Sequence, residues 1–199
     1  LIGCAYYEDG NWKLRQWFAQ TPDEESEILS AFLAFAEPYS YLIHYNGNTF
    51  DLPFLRKKAD KYGISYTLSS KKGLDIFRRI TPYKNFLKLP DCKLKTIESF
   101  LGIHREDIYT GGQLIQVYHD YTSSHDYDLY HTLILHNADD MKGMLETLPI
   151  LSYYDLFNCS IKASKAQTNY YNDMHGVPRK ELITVSYTHL RAHETVLDL

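Results

Sequence analysis

The chain has no apolar run of about 18 residues, the length a membrane-crossing helix needs, which removes a helical span from its 199 residues. It has little cysteine. Cys4, Cys92 and Cys159 are odd in number and far apart, and they form no CxxC, so neither a disulfide framework nor a zinc site is indicated. Reduced thiols in a cytoplasmic protein are the expectation. Internal repeats and low-complexity linkers are also absent. Paired glycines occur once, at Gly111-Gly112, too few for a phosphate-cradling loop, and they read as a turn before a helix.

What is present is ordinary in bulk and uneven in detail. Hydrophobic residues make up 44% and charged residues 23%, close to a globular average. Tyrosine is plentiful, at 18 residues, which suits half-buried surfaces and base stacking. The net charge of -4 conceals a basic middle: Arg56 to Arg105 holds 13 Lys/Arg against 4 Asp/Glu. A basic stretch of this kind matches a phosphate backbone, and it equally suits solvated helix faces.

Along the chain, two strand-like runs flank Asp9-Gly10-Asn11, a hairpin signal. Thr21-Pro22-Asp23-Glu24 matches a capping box ahead of a helix carrying Ile28, Leu29, Phe32, Leu33 and Ala36, which Pro38 ends. The apolar run Tyr41 to Tyr45 leads through Asn46-Gly-Asn-Thr49 into a helix opening at Phe50-Asp51 and closing at Gly63. Leu74 to Phe77 reads as a short strand, Lys93 to Leu101 as a helix stopped by Gly102, and Asp126 to Leu148 as one long helix broken at Pro149. The pattern is α/β.

Two places carry chemistry. A carboxylate at a strand-to-helix junction, such as Asp51, lies over a sheet end, where α/β proteins place ligands and metals; a helix N-cap is the plainer reading. On the long helix, His136 and Asp140 stand at i and i+4 on one face, a pairing that fits a general base beside a metal ligand or a simple surface ion pair. Phosphodiester hydrolysis with two divalent ions calls for several converging carboxylates and favours Mg²⁺ or Mn²⁺.

Asn46-x-x-x-Phe50-Asp51 resembles the second motif of the DEDD superfamily of 3′→5′ exonucleases, and His136-x-x-x-Asp140 resembles the third. Leu74-Asp75, Leu94-Lys95-x-x-Glu98, Leu101-Gly102-Ile103 and Arg105-Glu106-Asp107 add a likeness to the bacterial YprB-like group. The resemblance covers Leu1 to Phe157. It implies an RNase H-like mixed sheet flanked by helices, acting as a metal-dependent exonuclease on DNA or RNA 3′ ends. Asp51 and Asp140 would be ligands for two Mg²⁺ or Mn²⁺ ions and His136 the base. From the residues themselves, Asn46 reads equally as a substrate contact or as a brace for the loop, and Arg56 and Lys57, with Lys58 and Lys61, equally as phosphate contacts or a solvated helix face. The alternative is a non-catalytic module that binds nucleic acid or protein.

In that family an Asp-x-Glu strand precedes the position of Leu1 and lies between the first strand here and the Tyr41 strand. The expectation is therefore a chain without its central first strand, with two of four carboxylates and no activity alone. The tyrosine-type spacing of four with a histidine also departs from the family pattern. Residues 158–184 read as an extension of unknown role. Val185 to Thr195, VSYTHLRAHET, resembles a translated sequencing adapter, which makes 185–199 a non-native tail.

Overall fold

A computed structural model describes residues 1–104, 111–158, 162–172, 176–188 and 191–198. It divides into two compact units, Leu1–Leu151 and Ser152–Leu199.

The first unit begins with a hairpin, β1 (Ile2–Glu8) and β2 (Asn11–Trp17), paired antiparallel from Ile2↔Trp17 to Glu8↔Asn11. Asp9 (φ 52°) and Gly10 (φ 78°) both take the left-handed conformation, as the tight hairpin turn requires. The two faces of this hairpin have different covers. Ile2, Cys4 and Trp17 pack on Leu29, Phe32, Leu33 and Ala36 of α1 (Glu25–Ala36), in a core that also takes in Ala59 and Leu68. On the opposite face, Gly3 and its partner Gln16 meet α6 (Tyr127–Glu146). A Cβ at Gly3 would lie 2.1 Å from Asn137 Oδ1, so only glycine permits this approach. Gln16 Nε2 donates to Ile134 O and to Asn137 Oδ1, each at 2.9 Å.

The helix expected after Thr21 forms, but the capping box does not. Pro22–Glu24 is a 3-10 turn, Thr21 makes no side-chain cap, and Glu24 accepts instead from the Gln20 amide at 2.8 Å. The prolyl ring stabilises the tight turn, and that shifts the reach-back by one residue.

The second sheet is β3 (Tyr41–His44) parallel to β4 (Lys72–Asp75), joined by α2 (Asp51–Tyr62), which ends at Gly63 in the left-handed conformation. Lys71 Nζ reaches Tyr39 O at 2.7 Å and Glu37 O at 3.1 Å, tying the start of β4 to the end of α1. Among the described residues, β1 pairs only with β2 and β3 only with β4, so the two sheets share no ladder. The strand expected over Leu74 to Phe77 stops at Asp75. That carboxylate accepts from the Arg78 amide and starts α3 (Ile76–Ile80), burying Ile76 and Ile80.

Next come α4 (Leu94–Phe100), with Gly102 left-handed behind it, and α5 (Gly111–Ser124). Gly111-Gly112 is not a free turn: both residues lie in the first turn of α5. Arg105-Glu106-Asp107 lies outside the described residues. The long helix appears as α6, capped by Asp126, whose side chain accepts from the Asp128 amide. Cys4 and Cys92 are free thiols, and burial pushes the Cys4 thiol up to about 11; Cys159 lies outside the described residues.

After α7 (Leu151–Asn158), the second unit is an antiparallel sheet in the order β5 (Lys162–Asn172), β6 (Pro178–Thr188), β7 (Arg191–Asp198). The adapter-like stretch supplies the end of β6 and most of β7.

Candidate nucleic-acid site

His44 ends β3 and Asp75 ends β4, and the strands are parallel and in register, His44↔Asp75. Their carboxyl ends form the platform over which the Asn46–Thr49 loop turns into α2. Asp75 is buried and serves three groups: it accepts from the Asn46 amide at 2.9 Å, from Asn48 Nδ2 at 3.1 Å and from the Arg78 amide at 3.4 Å. Asn46 adopts φ 56°, a conformation asparagine tolerates better than most residues. Its Oδ1 accepts from Thr49 Oγ1 at 2.9 Å, so this part of the amide holds the loop. The sequence reads Asp75 as structural, and in the structure it clamps this loop.

Asp51 is the first helical residue of α2, and Phe50 occupies the cap position without a side-chain cap bond. The plainer N-cap reading therefore fails. The Asp51 carboxyl is raised above its usual pKa by desolvation, against which its own backbone amide and His44 work.

His44 is buried beneath the loop. The Gly47 amide donates to its Nδ1 at 3.2 Å, so that nitrogen is an acceptor and the ring is neutral. Burial lowers the His44 pKa, although Asp75 and Asp51 oppose it. Its Nε2 has no hydrogen-bond partner among the described residues.

On α6, His136 Nε2 lies 3.3 Å from Asp140 Oδ2, with side chains 12% and 34% exposed. The pair expected from the i, i+4 spacing is formed, and the adjacent carboxylate, Asp139, is exposed. Asp51 and Asp140 remain on separate elements. No group of three or more His, Cys, Asp or Glu arranged to hold a metal ion exists among the described residues. The residues present thus offer single carboxylates, not an assembled ligand set.

The basic face of α2 is partly engaged. Lys58 is bound to Glu25 at 2.6 Å, and the Arg56 guanidinium sits 5.8 Å from the Tyr66 ring centre. Lys57 is exposed and makes no ion pair among the described residues. Beside Asp51 stands a pair the sequence reading missed: Phe50 and Phe54, 68% and 45% exposed, with near-parallel rings 12° apart. Their i, i+4 spacing was the available signal.

A family model described as RNase_H superfamily (RNase_H_2) matches residues 1–149. The chain belongs to the RNase H superfamily. That membership fits the mixed α/β fold and points to nuclease-like function on nucleic acid, a chemistry for which RNase H-like nucleases generally use divalent metals. No curated protein and no solved structure matches the chain. No helix among the described residues is long and apolar enough to cross a membrane.

Proposed function

We propose that this domain belongs to a metal-dependent 3′→5′ exonuclease that hydrolyses terminal phosphodiester bonds of DNA or RNA and releases nucleoside monophosphates. The observation that supports the reading best is the Asp75 clamp. A buried carboxylate spent on two groups of the Asn46–Asn48 loop makes sense if Asp51, three residues beyond that loop, must be held at one place over the strand ends. Asp51 and Asp140 are the proposed ligands of Mg²⁺ or Mn²⁺, together with carboxylates the described residues do not supply. His136, beside Asp140, is the proposed base for the attacking water. Asn46, Arg56 and Lys57 are proposed to meet the substrate strand, with Asn46 Nδ2 and the Lys57 ammonium the groups left open for it.

The test is degradation of an end-labelled oligonucleotide with Mn²⁺ by the domain in its full coding context. Stepwise shortening from the 3′ end is expected, with Asp51→Ala and Asp140→Ala each abolishing it. Undiminished shortening by either variant overturns the assignment. The lack of an assembled ligand group among the described residues favours a second reading, a non-catalytic module that binds nucleic acid or protein. Binding without shortening in that assay selects it.

A further inference from the structure

We propose that a cleft between β2, α5 and α6 binds one unstacked base of a single-stranded nucleic acid, at a place separate from the Asp51 and Asp140 carboxylates. The nucleic-acid part of this proposal rests on the functional reading above; the cleft itself stands on geometry. It has a volume of about 560 Å³ and is lined by Phe18, Tyr121, Tyr127 and Tyr130 together with the amide side chains of Gln16 and Gln20. That volume lies in the range of ordinary small-ligand sites.

The aromatic wall is already organised. Phe18 sits edge-on to Tyr121 and Tyr130, with ring centres 5.2 and 5.0 Å away. Tyr127 is 71% exposed, and His131 one turn on stacks against it at 22°. An exposed tyrosine held in place by a neighbouring ring is a stacking platform with little ordering entropy left to lose.

The polar groups select what stacks there. Both amide hydrogens of Gln16 are used on Ile134 O and Asn137 Oδ1, which fixes the group and leaves its Oε1 as an acceptor. The Gln20 side-chain amide and the Tyr121, Tyr127 and Tyr130 hydroxyls have no hydrogen-bond partner among the described residues. His125, edge-on to Tyr121 with ring centres 5.7 Å apart, also lines the cleft, and among the described residues no Asp, Glu, Lys or Arg does. A flat, uncharged ring with donors and acceptors on its edge fits this lining, which is the description of a nucleobase; a phosphate or a carboxylate would find no permanent cation beside the His125 imidazole. On α6, Tyr127, Tyr130 and Ile134 share a face, and at about 100° per residue His136 stands roughly 120° or more from each of them. His136 therefore stands on a different face of the helix from the cleft, and Asp140 lies about 15 Å further along the axis than Tyr130.

The experiment uses the 199-residue chain and a short single-stranded oligonucleotide carrying one 2-aminopurine, whose fluorescence falls when it stacks on an aromatic ring. The chain is expected to quench it. Tyr127→Ala, at an exposed position, should keep the circular dichroism and melting of the parent, remove most of the quench and weaken binding about tenfold, the scale of one lost stacking contact. Gln20→Ala should weaken binding less. With free 2-aminopurine nucleoside, which carries no phosphate, quenching by the cleft should change little between low and physiological salt, unlike phosphate-dominated binding. A Tyr127→Ala chain that quenches and binds like the parent overturns the proposal, as does displacement by a proline-rich or tyrosine-containing peptide but not by free nucleoside. Failure of the exonuclease assay with the quench intact sinks the nuclease reading alone.

Discussion

Asp75 receives the backbone amide of Asn46 at 2.9 Å across 29 residues of sequence, and the bond is shielded from water because the Asp75 side chain is only 4% exposed. Through it, the end of β4 dictates where the loop before α2 begins, and so where Asp51 stands. Asp75→Ala leaves the Asn46 amide, the Asn48 amide and the start of α3 without their acceptor. We expect a loss of about 3 kcal/mol, since each buried group left unsatisfied costs on the order of 1–3 kcal/mol and water recovers part of it. Asp75→Asn, which keeps one acceptor, should lose less. Urea unfolding followed by circular dichroism measures both.

Glu25 links α1 to α2. Burial opposes its ionisation, but the hydrogen bonds from Lys58 and Tyr62 outweigh that and hold its carboxyl below the usual value of 4.5. A carboxyl whose folded pKa is depressed contributes stability that is present above the unfolded pKa and lost as pH falls through the folded one. Stability of the chain should therefore fall below about pH 4.5 with a contribution of about 1 kcal/mol from this group, in line with a partly exposed ion pair. Lys61 also faces Glu25 and reinforces the direction. In Glu25→Gln this part of the acid dependence should vanish; an unchanged pH profile of the urea midpoint refutes the assignment.

Gly143 faces the buried Glu98 of α4, and a Cβ there would stand 2.1 Å from Glu98 Oε1. Glu98 is 1% exposed, so moving its carboxylate aside means disturbing packed neighbours. Gly143→Ala should destabilise by about 1–3 kcal/mol through overpacking, despite the better helix propensity of alanine. In a Glu98→Ala background the cost should shrink or reverse, and a double-mutant cycle on melting temperatures reads the coupling.

Lys57 is exposed on α2 without an ion pair among the described residues, whereas Lys58 is bound to Glu25. Lys57→Ala should leave stability within about 0.5 kcal/mol while lowering affinity for any single-stranded oligonucleotide. The slope of log affinity against log salt should fall by about 0.7, the share of one phosphate contact on a single strand. Fluorescence anisotropy over a salt series tests this, and an unchanged slope removes Lys57 from the substrate path.

Local features could be read in advance because their causes are local. Asp9-Gly10 forces the hairpin turn, Gly63 ends α2, Pro149 stands just past the long helix, and the His136–Asp140 pair comes from helix periodicity. What could not be read depends on contacts far apart in the chain. Gly3 is required by Asn137 and Gly143 by Glu98, and neither demand leaves a trace in the neighbouring residues. The end of β4 was misplaced because Ile76 and Phe77 are apolar in strand or helix alike; only the capping role of Asp75 decides between them. Thr21 failed as a cap because Pro22 began a tighter turn than the motif assumes. The carboxylates of the candidate site were legible one by one from their settings, but whether they converge depends on how the two sheets are placed, and that no spacing encodes.

The hairpin of β1 and β2 has helices over both faces near its root, while Tyr7 and Trp12 beside the turn are 59% and 51% exposed. Amide protons should therefore exchange on two clocks along the same ladder. Those between Ile2 and Ala5 and their partners up to Trp17 should wait for α1 or α6 to lift, whereas those around Tyr7 and Trp12 need only the tip to fray. The ladder that looks uniform in its register is thus a stiff root carrying a loose tip.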